Sequence, residues 1–229
     1  MFHKNLHVVR GRFRNLSIPS KRHFKPYSFA SKTYWEQRYK KESRENVEWF
    51  LNPEFILPYL KVQVSKAAVK RRAIRLAHLG AGLSYLGIDL ARCFPEIYVC
   101  NIDSSESAIQ KMNSYLKANY DDEFCRRCYY LRRDILCTNM KDASFDFCID
   151  KGTFDAVVRG GKEKSKTYLD EVNRLLVPGG SFIQISQEPP EIVCFADSSL
   201  WKDYRYKMVN DPAEMEKHDF EYWIYHMVK

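Results

Sequence analysis

Short apolar segments alternate with helix-length segments along most of this 229-residue chain, and a glycine or an aspartate follows each of the first four apolar segments. Apolar runs punctuated in this way are typical of buried strands, and helix-length connections between them are typical of parallel sheets. The pattern therefore predicts an α/β protein whose helices cover both faces of the sheet. The predicted strands are Ala73–Leu79, Ile97–Ile102, Cys128–Leu131, Ser144–Ile149, Ser181–Ile185, Tyr204–Val209 and Tyr222–Val228.

The predicted helices lie before and between these strands. Residues 34–43 and 53–62 read as two short helices ahead of the first strand, and Ser104 or Ser105 caps a helix after the second strand. A later helix ends at the Pro-Gly-Gly segment 178–180, a common helix stop. Because no helical pattern separates the last two strands, they predict an antiparallel hairpin.

The formal net charge of +8 belongs to an N-terminal segment without acidic residues. Glu36 is the first acidic residue, and the basic residues ahead of it account for the whole excess of 37 Lys and Arg over 29 Asp and Glu. The rest of the chain is neutral, so nucleic acid is not expected as a partner. The longest uncharged stretch near the middle of the chain, Leu76–Ile88, is too short and too rich in glycine to span a membrane.

Apolar, basic and serine residues share the first 32 positions in the pattern of a mitochondrial transit peptide. Five apolar residues recur at helical spacing: Phe2, Leu6, Val9, Phe13 and Leu16. We therefore predict a transit peptide over residues 1–32, cleaved between about residue 25 and about residue 33. This prediction assigns residues 33–229 to the folded domain and the protein to the mitochondrial matrix. The alternative interpretation is a basic arm that contacts RNA.

Glycines and acids follow the first four strands, where an open parallel sheet binds its ligands. Gly80 and Gly82 let a ligand approach the backbone after the first strand. Asp103 ends the second strand about 20 residues further on, a position from which a carboxylate binds both hydroxyls of a ribose. With Asp134 and Asp150 after the next two strands, the pattern predicts a nucleoside site. Each acid taken alone is equally compatible with a cap on a helix or loop.

Residues 34–229 resemble the class I methyltransferases that use S-adenosylmethionine, a family with a seven-stranded Rossmann-like sheet of strand order 3-2-1-4-5-7-6. Two motifs narrow the resemblance to a small group of protein-lysine methyltransferases. They are Tyr34–Tyr39 (YWEQRY) with Glu48–Phe50 (EWF), and Asp150–Ala156 (DKGTFDA). The resemblance implies this fold, S-adenosylmethionine as the cofactor and a protein as the substrate.

Within that group, three segments resemble the mitochondrial citrate synthase-lysine methyltransferase family: Val157–Gly161, Phe182–Ser186 and Glu188-Pro189. The resemblance implies methyl transfer to a lysine of citrate synthase, in agreement with the predicted transit peptide, and we expect a monomer. Methyltransferases of elongation factor 1A share the Lys-Gly-Thr core of the second motif, so elongation factor 1A or another protein is the alternative substrate. A further alternative is a non-catalytic scaffold that binds the cofactor.

The resemblance also implies roles for individual residues. The expected cofactor contacts are Trp35, Tyr39 and Trp49 at the methionine end, Asp103 and Ser104 at the ribose, Asp134 and Ile135 at the adenine, Lys151 near the sulfonium, and Gly80 and Gly82 in the turn. Asp150 and Asp155 are the candidates to orient the substrate amine or to receive its proton. His78 departs from the family, which often has an acidic residue there, so other contacts have to supply that charge.

Cys125 and Cys128 have the spacing of half a zinc site. A structural zinc ion takes four ligands, and no second paired motif accompanies these two residues. We therefore expect no metal site and a structural or incidental role for the two cysteines.

Overall fold

The computed structural model describes residues 29–42, 48–68, 73–190, 198–209 and 221–229. Residues 1–28 of the predicted transit peptide lie outside these ranges. The described strands are β1 (Ile74–Leu79), β2 (Ile97–Asp103), β3 (Cys128–Arg132), β4 (Phe145–Lys151), β5 (Leu176–Ser186), β6 (Asp203–Val209) and β7 (Tyr222–Val228). The described helices are α1 (Lys32–Lys41), α2 (Pro53–Ala68), α3 (Leu86–Cys93), α4 (Glu106–Asn119), α5 (Asp122–Arg127), α6 (Thr153–Val158) and α7 (Lys162–Leu175).

The seven strands form one mixed sheet in the order β3-β2-β1-β4-β5-β7-β6, which confirms the predicted fold. β1 pairs with β2 on one side and with β4 on the other, so Leu79 lies opposite both Ile102 and Asp150. The order of the strands reverses at this point, and α/β sheets bind ligands beyond the carboxyl ends of the strands there. β7 runs antiparallel to both β5 and β6, which confirms the predicted hairpin.

Apolar layers cover both faces of the sheet, as the alternation of strands and helices predicts. Ile56, Leu86 and Met112, from α2, α3 and α4, are buried in one layer. Tyr168 and Val172, from α7, are buried in the other. Complete burial of a large apolar side chain contributes roughly 1.5–3 kcal/mol, so the two layers stabilise the sheet that carries the strand ends.

β5 is longer than its sequence indicates. We expected it to begin at Ser181, after a helix stop at residues 178–180, but it begins at Leu176, directly after α7. The pairing of β5 with β4 shifts in register within this added part. Gly179 has a φ of +76°, and its backbone amide donates to the carbonyl of Lys229 at 3.0 Å. The glycine pair therefore lies in an irregular stretch of the strand, where a bulge tolerates it, and does not end the helix.

Two short helices, α5 and α6, have no counterpart among the expected helices. Each has six residues, too few for apolar periodicity to be recognised. α5 begins after Asp121, whose carboxylate accepts a hydrogen bond from the backbone amide of Phe124 at 2.8 Å.

α2 continues past its expected end near residue 62 to Ala68, and it contains Pro58 in its interior.

Glu171 connects α7 to the segment after β3. Because of this contact, we expect the protein to lose stability in acid. Its carboxylate accepts hydrogen bonds from Arg174 and Thr138. The bonds from Arg174, followed by those from Thr138, lower the pKa of Glu171 from 4.5 to about 2 despite its burial. Because the folded state has the lower pKa, the stabilisation is complete above pH 4.5 and disappears as the pH falls towards 2.

Urea unfolding across this acid range tests the contribution of Glu171. We expect Glu171→Gln to flatten the dependence of the unfolding free energy on pH below 4.5. Glu163→Gln, an exposed position on the same helix, serves as the matched control and is expected to leave the dependence as it is in the parent protein. Identical pH profiles for the two variants would contradict the assignment.

Candidate active site

A cavity of about 1040 Å³ opens at the carboxyl edge of the sheet, beside the switch point between β1 and β4. Its lining comes from the segments that follow β1 to β5, from α1 and from residues just before α2. The volume suits a ligand of the size of a nucleoside carrying an amino acid. Most of the predicted site residues line it: Trp35, Tyr39, Trp49, Gly80, Asp103, Ser104, Asp134, Ile135, Lys151 and Asp155. Gly82 and Asp150 are absent from the lining.

The turn after β1 uses two glycines with left-handed backbone angles. Gly80 has a φ of +65° and lines the cavity, and a Cβ at this position would lie 2.1 Å from Oγ1 of Thr153. Gly82 has a φ of +51°, and a Cβ there would lie 2.4 Å from the hydroxyl oxygen of Tyr39. Both glycines therefore make room for side chains of the protein itself. Gly80 belongs to the cavity lining, whereas Gly82 packs against Tyr39 and is absent from the lining, so its predicted contact with a ligand stays a prediction.

Asp103 is the last residue of β2 and lines the cavity together with Ser104. Its carboxylate accepts hydrogen bonds from the backbone amides of Gly82 and Ser105, each at 2.8 Å. These bonds fix the side chain, and each oxygen retains a lone pair for another donor. Burial raises the pKa of Asp103, while the backbone hydrogen bonds oppose that rise. A fixed carboxylate with remaining acceptor capacity is suited to a pair of ribose hydroxyls.

Asp134 lies beyond β3, beside an apolar part of the cavity lining. One of its oxygens accepts a hydrogen bond from the backbone amide of Leu136 at 3.1 Å, and the other forms an ion pair with Lys32 of α1. Ile135 and Leu136 are partly buried and also line the cavity. A hydrogen-bond acceptor next to apolar side chains is suited to a base with an amino group, as predicted for adenine.

Three aromatic side chains of the N-terminal part form one wall of the cavity. Trp35 stacks on Tyr39 with the ring centres 5.7 Å apart, and it meets the ring of Trp49 edge-on at 5.3 Å. The guanidinium carbon of Arg38 lies 4.4 Å from the centre of the Trp49 ring, a favourable cation–π distance. The structure therefore brings the three predicted aromatic residues together at the cavity.

Glu48 connects the N-terminal part to the turn before α3 and to the end of β4. Its carboxylate accepts hydrogen bonds from the hydroxyl of Ser84, at 2.9 and 3.1 Å, and from the backbone amide of Tyr85 at 2.7 Å. It also forms an ion pair with Lys151, whose side chain is only 2% exposed. Burial lowers the pKa of Lys151, and the attraction of Glu48 opposes that effect. Glu48 belongs to the Glu48–Phe50 motif, but no spacing in the sequence indicates that it pairs with Lys151.

His78 is buried and lines the cavity at the end of β1. Its Nδ1 lies 3.2 Å from Oδ1 of Asn101. Burial, together with the positive charge of Lys151, lowers the pKa of His78 to about 4, so the imidazole is uncharged at neutral pH. The resembling family often has an acidic residue at this position, and here the nearby negative charge is that of Glu48. The attraction of Glu48 acts to raise the pKa of His78, against the two lowering effects.

Asp150 and Asp155, the two predicted candidates to act on the amine, occupy different environments. Asp150 is fully buried, and its carboxylate accepts hydrogen bonds from the backbone amides of Thr153 and Phe154 and from the hydroxyl of Tyr168, at 2.5–2.8 Å. Burial raises the pKa of Asp150 to about 7. Its oxygens hold the start of α6 against α7, and Asp150 is absent from the cavity lining, so its role at the substrate amine stays a prediction.

Asp155 lines the cavity from the first turn of α6. Its carboxylate accepts a hydrogen bond from the hydroxyl of Ser186 at 2.6 Å and a longer one from the backbone amide of Gln187 at 3.4 Å. Burial raises the pKa of Asp155 to about 6. Of the two candidates, only Asp155 belongs to the cavity lining.

Within the described ranges, no helix has the length and apolar character needed to cross a membrane. The same residues contain no cluster of three or more His, Cys, Asp or Glu side chains with metal-binding geometry. Cys125 and Cys128 are free cysteines, and Cys128 is buried in β3.

Sequence comparisons relate the chain to methyltransferases. Residues 71–224 match the family model of a methyltransferase domain. The mitochondrial citrate synthase-lysine N-methyltransferase of Homo sapiens is 31% identical over 158 residues, which cover 63% of this chain and 64% of that protein. The eEF1A lysine and N-terminal methyltransferase of Bos taurus is 31% identical over 163 residues, which cover 69% of this chain and 22% of that protein. The chain thus spans less than two thirds of each of these two relatives.

Solved structures share the fold at low sequence identity. A SAM-dependent methyltransferase of Methanosarcina mazei has a TM-score of 0.54 at 13% identity, covering 69% of this chain and 93% of the other. The cyclase SpnF has a TM-score of 0.58 at 15% identity, covering 75% of this chain and 80% of the other. Because a cyclase is among these structures, the fold alone does not determine the reaction.

Proposed function

Because the chain belongs to the methyltransferase-domain family and uses S-adenosylmethionine, we propose that it methylates a lysine side chain of citrate synthase in the mitochondrial matrix. One observation carries the proposal. The acid Asp155, part of the motif that resembles protein-lysine methyltransferases, lines the same cavity as the predicted cofactor residues Asp103 and Asp134. The proposed acceptor for a substrate amine and the proposed cofactor residues thus line one cavity.

The residues present fit this cofactor. Asp103 would accept the ribose hydroxyls, with Ser104 beside it, because its carboxylate is fixed by two backbone amides and retains acceptor capacity. Asp134 would accept from the adenine amino group with the acceptor capacity that its bonds to Lys32 and Leu136 leave, with Ile135 against the ring. The aromatic wall and Lys151 would lie at the methionine end.

S-adenosylmethionine, when bound, supplies a methyl group that the positive charge on sulfur has already activated. The remaining task of the protein is to hold an uncharged lysine amine in line with that group. A lysine side chain in water has a pKa of about 10.4, and its transfer into a partly desolvated cavity lowers that pKa. Asp155, held by Ser186 and Gln187, orients the incoming ammonium and accepts its proton through water.

Asp155→Asn is expected to lower kcat at least about tenfold, because a charge-assisted hydrogen bond to the substrate amine is worth about 1.5–3 kcal/mol. The affinity for S-adenosylhomocysteine is expected to stay unchanged. Label transfer from methyl-labelled S-adenosylmethionine measures kcat, and calorimetric titration measures the affinity. Asp170→Asn, on the outer side of α7, is the matched control. A parental kcat in Asp155→Asn would rule out the proposed role.

Mitochondrial and cytosolic extracts distinguish the candidate substrates. The purified protein is incubated with each extract and methyl-labelled S-adenosylmethionine, and a labelled mitochondrial band of the size of citrate synthase supports the proposal. Elongation factor 1A is the second candidate, because the identity to its bovine methyltransferase is equally 31%. A label confined to a cytosolic band of that size contradicts the citrate synthase proposal. Cofactor binding without methylation in either extract favours a non-catalytic scaffold.

A further inference from the structure

Four residues ahead of the predicted start of the domain line the cavity. These residues, Phe29–Lys32, are called the N-terminal strap here. At one end, Lys32 forms the ion pair with Asp134 after β3. At the other, Ala30 lies beside Gly160 after α6, where a Cβ added to the glycine would lie 3.4 Å from the Cβ of Ala30. The strap therefore connects two sides of the cavity that belong to opposite halves of the sheet.

Phe29 holds the strap against the aromatic wall. Its carbonyl accepts a hydrogen bond from the indole nitrogen of Trp35 at 2.7 Å. The centre of its ring lies 6.0 Å from that of Trp35 and 6.1 Å from that of Trp49. The guanidinium carbon of Arg159 lies 5.8 Å from the centre of the same ring. Each of these partners lines the cavity, so Phe29 packs directly on the site.

Ser31 continues the strap into α1 as its N-cap residue. Its hydroxyl accepts from the backbone amide of Tyr34, and its carbonyl accepts from that of Trp35, both at 3.4 Å. Lys32 is 59% exposed in its pair with Asp134, and an exposed pair contributes little. The aromatic packing of Phe29 is therefore the main attachment of the strap.

We propose that the strap completes the cofactor site, and that maturation of the predicted transit peptide therefore leaves Phe29 in the mature chain. The predicted cleavage interval, from about residue 25 to about residue 33, includes the strap. A cut after Phe29 removes the residue that contacts both tryptophans of the cavity wall. The interval accordingly narrows to the peptide bonds ahead of Phe29.

Phe29→Ala in the full chain tests the first half of this proposal. We expect the affinity for S-adenosylhomocysteine, measured by calorimetric titration, to fall about tenfold with the loss of the aromatic contacts. Tyr98→Ala removes an exposed aromatic ring from β2, outside the cavity lining, and is expected to bind like the parent protein. Thermal unfolding without ligand measures whether both variants are folded. Parental affinity in Phe29→Ala would overturn the proposal.

The second half is tested on the full chain expressed in cells and recovered from mitochondria. The mass of the mature chain gives its first residue, which we expect to be Phe29 or an earlier one. A mature chain that begins at Ala30 or later overturns the proposal. Neither measurement involves a protein substrate, so failure here is distinguishable from failure of the citrate synthase assignment.

Discussion

Asp103→Ala is expected to weaken the binding of S-adenosylhomocysteine at least about 100-fold. The variant would lose the two charge-assisted hydrogen bonds that the carboxylate is proposed to accept from the ribose, each worth about 1.5–3 kcal/mol. A loss of about 1.4 kcal/mol corresponds to about a tenfold loss of affinity. The variant also leaves the amides of Gly82 and Ser105 without their present acceptor. Calorimetric titration measures the affinity, and thermal unfolding without ligand measures any loss of stability separately.

Asp121→Ala is the matched control for this prediction. Asp121 likewise accepts a hydrogen bond from a backbone amide at a helix start, but it lies ahead of α5 and outside the cavity lining. We expect it to bind S-adenosylhomocysteine like the parent protein. An affinity of Asp103→Ala close to that of Asp121→Ala would contradict the assignment of Asp103 to the ribose.

Glu48→Ala is expected to lower the free energy of unfolding by about 3–5 kcal/mol, the usual cost of removing one partner from a buried ion pair. Lys151 is 2% exposed, so its ammonium would remain buried without the opposite charge. The hydroxyl of Ser84 and the amide of Tyr85 would lose the same acceptor. Urea unfolding followed by circular dichroism measures the change.

Two further variants distinguish the effect of the buried ion pair on stability from the effect of losing ordinary contacts. Asp170→Ala breaks an exposed pair with Lys166, and we expect its stability to change by less than about 1 kcal/mol. The double variant Glu48→Gln with Lys151→Met removes both charges at once and is expected to regain part of the stability lost in Glu48→Ala. Equal destabilisation by Glu48→Ala and Asp170→Ala would contradict the role of the pair.

The sheet and the position of the cavity were predictable because the informative residues stand at strand ends. Asp103 and Asp134 lie far apart in the sequence, but parallel strands bring their carboxyl ends to one edge. That rule requires only the order of the elements. The two short helices and the early start of β5 depend on individual contacts, such as the hydrogen bond from Gly179 to Lys229. No apolar periodicity in the sequence indicates these features.

The separate roles of Asp150 and Asp155 could not be read from the sequence. Both belong to one seven-residue motif, Asp150–Ala156, which begins at the end of β4. Their environments are decided by partners on distant elements, Tyr168 of α7 for Asp150 and Ser186 of β5 for Asp155. The same reason hid the pairing of Glu48 with Lys151, since a local pattern carries no information about contacts a hundred residues apart.

Mass spectrometry of purified citrate synthase, after incubation with the full chain and S-adenosylmethionine, tests the proposed function most directly. Elongation factor 1A is incubated in parallel, and Asp103→Ala replaces the parent protein in a control reaction. We predict that citrate synthase gains the mass of one or more methyl groups on a lysine side chain, and that the control reaction methylates a much smaller fraction of it. Methylation of elongation factor 1A alone, or unmodified citrate synthase beside an enzyme that binds the cofactor, would contradict it.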